Sequence, residues 1–108
     1  PDAYLKEITI PDTTMFPIFS STVFEYIVQT NNGNCSVDIT ASPVENNGYI
    51  TFEIEGMYFT LEYMPGQKSV SVPINPGGTL VKIRVAANGE GNYYMLYIYN
   101  DDYQNSPN

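Results

Sequence analysis

A chain of 108 residues with a net charge of −8 can bury one core of its own, and only 15% of its residues are charged. Its four cations, Lys6, Lys68, Lys82 and Arg84, are too few to form a phosphate-binding face, which excludes nucleic acid and disfavours anionic membrane surfaces. There is no histidine, which excludes His-centred nucleophile triads and His-based metal sites.

Apolar residues recur with period two and hardly anywhere with period 3.6, so the chain reads as strands. YLKEITI carries Leu5, Ile8 and Ile10 in imperfect alternation and stops at Pro11. VFEYIVQT places Phe24, Tyr26 and Val28 on one face and Val23, Glu25, Ile27 and Gln29 on the other. CSVDITA turns Cys35, Val37, Ile39 and Ala41 inward and Ser36, Asp38 and Thr40 outward. A lone cysteine in such a strand is expected to act as a small buried hydrophobe. YITFEIE turns Ile50, Phe52 and Ile54 in, with Thr51, Glu53 and Glu55 out, and MYFTLEY reads as a short strand. SVSVPI lines up Val70, Val72 and Ile74, and TLVKIRVAA turns Val81, Ile83 and Val85 in with Lys82 and Arg84 out. YYMLYIY closes the set.

The connections TNNGN, VENNG, MPGQ, NPGG and NGEGN combine Gly with Asn or Pro, the residues of tight turns. NGEGN is expected to close a tight antiparallel hairpin. Pro17 and Pro73 fall within strand-like runs and point to edge positions or to a strand that switches sheets. Short strands at this spacing predict an all-β, antiparallel two-sheet sandwich of about 7–9 strands. Residues 1–100 are expected to form a single domain and the polar 101–108 a C-terminal linker or tail.

Chemistry finds little to work with. Cys35 has no His to make a thiolate, and Glu53, Glu55 and Glu62 read as outward strand positions rather than a carboxylate pair across a cleft. The oxygen-rich stretches at 31–34, 88–92 and 100–102 each fall short of the six to eight ligands calcium takes, and read as turn residues. No enzyme activity, cofactor or metal is expected, nor any membrane insertion, since no apolar run approaches the length of a membrane helix.

The order LKEITI, MFPIFSSTVFEYIV, VDITASP and VSVPINPGGTLVKIRVAANGEGNYYMLYIY resembles the cadherin-like β-sandwich domain family of bacterial secreted and surface proteins. Pro17, Phe19 and Ser20 match its Pro-x-Phe-Ser segment, and Tyr26 and Val28 the strand that follows. Val37, Ile39, Thr40, Ala41 and Pro43 match the third element. Leu80, Ile83, Val85, Ala87, Asn88 and Gly89 match the penultimate hairpin, and Tyr94, Leu96 and Ile98 the last strand. The match spans residues 4–99. GYITFEIEGMYFTLEY is longer and more aromatic than the family's middle linker, and the closing Arg of the pattern is missing. The resemblance implies an Ig-like or cadherin-like sandwich within a larger extracellular protein, and no catalytic residues. The calcium motifs of true cadherins are not in this chain.

The register implied by the resemblance turns Tyr94, Leu96 and Ile98 to the core and Tyr93, Met95, Tyr97 and Tyr99 outward. Tyr93, Tyr97, Tyr99, Lys82 and Arg84 then share one outer face and form the candidate ligand-binding set. Cross-strand cation–π pairs that merely stabilise an exposed sheet use the same geometry as a platform for sugar rings. The expected function is a noncatalytic extracellular accessory module, a spacer or interaction domain and a monomer, with a neighbouring protein domain as partner. The alternative is a carbohydrate-binding module that recognises a polysaccharide through the tyrosine-rich face.

Overall fold

The computed structural model describes residues 2–31, 35–59 and 64–100. Nine strands form among them: β1 (Leu5–Thr9), β2 (Thr13–Phe16), β3 (Glu25–Thr30), β4 (Ser36–Pro43), β5 (Tyr49–Ile54), β6 (Met57–Phe59), β7 (Lys68–Pro73), β8 (Thr79–Ala87) and β9 (Glu90–Asn100). They make a three-stranded sheet, β1-β4-β7, packed against a six-stranded sheet, β2-β3-β9-β8-β5-β6. The expected all-β, two-sheet architecture is present. The expected linker at 101–108 lies outside the described residues.

Alternation decides what goes inside. Tyr26 and Val28 of β3, Ile50, Phe52 and Ile54 of β5, Val81, Ile83 and Val85 of β8, and Tyr94, Leu96 and Ile98 of β9 face Leu5, Ile8, Val37, Ile39, Ala41 and Val72 of the opposite sheet. Full burial of each large apolar side chain stabilises the fold by about 1.5–3 kcal/mol. Two inward tyrosines bring a polar tip that must be satisfied. Tyr94 Oη accepts from the Leu5 N–H and donates to the Ser21 carbonyl. Tyr26 Oη accepts from the Ser20 N–H and donates to the Ser20 carbonyl. The two rings thereby fasten the 20–24 loop and the start of β1 to the core, with Phe19 and Phe24 packed against them.

The chain changes sheets between β1 and β2. Pro11 cannot donate to a ladder, Asp12 takes a φ of 62°, and the bend is pinned by Thr13 Oγ1 donating to the Ile10 carbonyl. Pro17 follows directly on β2 and Pro73 ends β7, and both strands are sheet edges, as expected of proline. A shift of register between Leu5 and Glu7 explains the imperfect alternation of β1.

Three expectations are corrected. The sheets are not wholly antiparallel: β3 pairs with β9 in parallel, Ile27 opposite Tyr97, the two being separated by five strands spread over both sheets and not joined by a hairpin. Cys35 is exposed, not buried; it precedes the first residue of β4, although its carbonyl still accepts from the Ile74 N–H at 2.8 Å. The end of SVSVPI is shallower than expected: Val72 is buried, while Val70 and Ile74 are half-buried at the flank of the core.

Candidate functional site

The outer face of the six-stranded sheet collects its side chains in rows fixed by register. One row runs Phe16, Ile27, Tyr97, Leu80 across β2, β3, β9 and β8. The next runs Glu25, Met95, Lys82, Glu53, Tyr58 across β3, β9, β8, β5 and β6. Tyr93, Arg84 and Thr51 make a third row, and Gly91, Ala86 and Tyr49 a fourth. Phe16 is 57% exposed, Tyr97 48%, Tyr93 45% and Tyr58 66%, so exposed rings stand on both edge strands and on β9 between them.

All five sequence candidates lie on this face, but they divide between its two halves. Arg84 stands opposite Tyr93. Lys82 stands opposite Met95, and its ammonium lies 3.9 Å from the Glu53 carboxylate, which stands opposite Tyr58. The two cross-strand partners of Tyr97 are apolar, Ile27 on one side and Leu80 on the other. Tyr99 stands opposite Gln29, half-buried, with Gly78 close against its Cβ. One half is therefore apolar, around Ile27 and Tyr97. The other is polar and aromatic, around Tyr58, Glu53, Arg84 and Tyr93. In that half the Glu53 carboxylate, and after it Tyr93, hold the Tyr58 phenol above its ordinary pKa.

Shallow depressions follow the same division. Ile27 and Tyr97 form the ridge between one of about 430 Å³, lined also by Leu80, Tyr99 and Glu55, and one of about 250 Å³, lined also by Phe16 and Glu25. A third, of about 480 Å³, lies at the β8–β9 hairpin, where Arg84, Tyr49 and Gly91 are among its walls. The hairpin closes through Asn88 and Gly89 at φ 53° and 81°, the tight turn expected of NGEGN. Asn88 is engaged within the protein: its Oδ1 accepts from Asn47 Nδ2 at 2.8 Å and its Nδ2 donates to Asp2 Oδ2 at 3.0 Å.

Among the described residues no group of three or more Cys, Asp or Glu side chains converges. Most of the 31–34 stretch and residues 101–102 lie outside the described residues.

Phe16, Leu80, Tyr58 and Tyr49 complete the face but were not among the sequence candidates. Phe16 and Tyr58 sit on edge strands whose neighbours only the topology reveals. Ile27 carried a signal, because its alternation with Tyr26 and Val28 turns an isoleucine outward. Comparison with protein-family models, with curated proteins and with solved structures gave no match.

Proposed function

We propose that this chain is a noncatalytic accessory module, an Ig-like or cadherin-like sandwich of a larger secreted or cell-surface protein. It acts as a spacer and offers the outer face of its six-stranded sheet as an interaction surface. One observation carries the reading: large rings and an isoleucine stand exposed in contiguous register on that face, where a solvated sheet needs none. The shallow relief suits a partner laid along the sheet rather than a small molecule enclosed in a pocket.

A second reading, recognition of a polysaccharide, is favoured by the polar half. There Tyr49, Tyr58 and Tyr93 offer ring surface beside hydrogen-bonding groups on Arg84, Glu53 and Thr51, the pairing a sugar's apolar face and hydroxyls require.

The chain has no tryptophan, so its emission comes from ten tyrosines, of which Tyr49, Tyr58, Tyr93, Tyr97 and Tyr99 lie on this face and Tyr26 and Tyr94 in the core. Titration with a panel of polysaccharides, and with domains encoded beside this one, is expected to change that emission for the true partner, and Tyr97→Ala or Tyr93→Ala is expected to weaken the complex while leaving the fold intact. A partner that binds both variants as well as the parent would remove this face from the reading. Silence of every titrant would leave a spacer alone.

A further inference from the structure

The third depression is built around an arginine without a counter-charge. Among the described residues Arg84 makes no hydrogen bond and no ion pair, although acids outnumber cations by 12 to 4 in the chain. Lys82, two positions away on the same face, is turned to Glu53. Small residues clear the space around the guanidinium. Ala86 and Gly91 face each other across β8 and β9, and a Cβ added at Gly91 would lie 3.2 Å from Arg84 Nη2. The φ of Gly91 is not in the left-handed region, so room for Arg84, not backbone freedom, is what glycine supplies there. Tyr93 stands opposite Arg84, and Tyr49 stands opposite Ala86 on the other flank. Glu90, the one carboxylate among the residues that line the depression, accepts from the Asp2 N–H at 3.1 Å.

We infer that this depression is a subsite for an anionic sugar, with the carboxylate of a uronic acid residue on the Arg84 guanidinium and the pyranose ring against Tyr49, the one aromatic residue among its walls. The inference rests on the polysaccharide reading above and names its ligand class. A planar guanidinium presents a fork of N–H donors that matches the two oxygens of a carboxylate. A neutral sugar would leave that charge unmatched. Sulfate esters offer similar anionic oxygens, so both sources belong in the test. The net charge of −8 gives no general attraction for polyanions, so retention of one must come from local contact.

Affinity electrophoresis of the folded chain tests this with polygalacturonate, the same polymer after reduction of its carboxyls, a sulfated galactan and a neutral galactan. Polygalacturonate is expected to retard the protein and its reduced form to do so at least about tenfold less strongly. Arg84→Gln is expected to lose about tenfold in affinity or more, the size of one charge-assisted contact. Arg84→Lys should keep part of it, the charge without the fork. The fold control is an unchanged unfolding midpoint in both variants, as exposure of Arg84 leads one to expect. Equal retardation by the neutral galactan, unaffected by Arg84→Gln, would overturn the inference and leave the polysaccharide reading standing. Retardation by the sulfated galactan with polygalacturonate silent would overturn the carboxylate assignment. Silence of all four polymers would overturn the inference, and the polysaccharide reading would fall with it only if the wider panel were silent too.

Discussion

The two outer faces of this sandwich solve the same problem with different residues. On the three-stranded sheet the outward positions are Thr9, Thr40 and Ser69 in one row and Asp38 and Ser71 in the next. They bond to one another: Thr40 to Ser69 at 2.7 Å, and Ser71 to the Asp38 carboxylate. Short hydroxyls are enough to keep that sheet solvated and its strands paired. On the six-stranded sheet the equivalent positions hold Phe16, Ile27, Tyr58, Tyr93 and Tyr97. High β-propensity alone does not explain the choice, because threonine supplies it on the other face at much less exposed apolar area. The difference sets apart the face that the proposed interaction surface uses.

That contrast can be broken or sharpened by substitution. The largest effect is expected beneath the face, at Tyr94→Phe. Loss of its hydroxyl leaves the Leu5 N–H and the Ser21 carbonyl without their partner, at a cost of about 1–3 kcal/mol in urea unfolding. Tyr97→Phe, on the outward side of the same strand, should leave the midpoint unchanged. An equal loss at Tyr97 would make the outer face structural and dissolve the contrast.

The same inward tyrosines set an alkaline limit. Burial raises the pKa of Tyr94, opposed by the Leu5 N–H, and burial likewise raises that of Tyr26, opposed by its hydrogen bond with Ser20. The unfolded chain loses these protons first, so the stability they contribute is full below about pH 10 and falls as the pH rises through the higher folded values. Unfolding midpoints measured upward from neutral pH should decline there, and less steeply in Tyr94→Phe.

Carrying the hydroxyl pattern across, as Ile27→Thr with Tyr97→Thr, is expected to change stability by no more than about 1 kcal/mol, because only cross-strand contacts are exchanged. A fall of several kcal/mol would show that the row closes the sheet rather than serving a partner. The smallest effect is expected at Glu53→Gln. The Lys82 pair is partly exposed and long at 3.9 Å, so its loss should stay below about 1 kcal/mol, while spectrophotometric titration should show the Tyr58 phenol ionising at lower pH.

Local pairing is legible in the sequence, and distant pairing is not. VDITA, YITFEI and LVKIRVAA show their inward residues by alternation, and Asn88-Gly89 announces the β8–β9 hairpin. That hairpin places Arg84 beside Tyr93 on sequence grounds alone. The β5–β6 hairpin carries no such signal, because its two-residue turn is Glu55-Gly56, and Glu55 accepts a φ of 50° without the usual asparagine. The parallel β3–β9 ladder joins residues seventy apart in the chain, Ile27 and Tyr97 among them, and no local pattern encodes it. Half of the candidate site, the Phe16–Ile27–Tyr97 row, depends on that ladder. Lys68 shows the limit of reading charge as exposure: it stands opposite inward Ala41, lays its stem inside and donates from Nζ to the Met64 carbonyl at 2.9 Å.

The position of β9 has a mechanical consequence. Asn92 Nδ2 donates to the Ala3 carbonyl at one end of the strand, while Asn100 lies at the other, beside Thr30. Tension applied between Ala3 and Asn100 therefore runs along the strands, and the parallel β3–β9 ladder meets it in shear, with its hydrogen bonds strained together and not opened one after another. A single-molecule pulling trace should show one abrupt rupture, and a gradual low-force unzipping would contradict that picture. A sheet joined this way resists stretching most strongly along its own length.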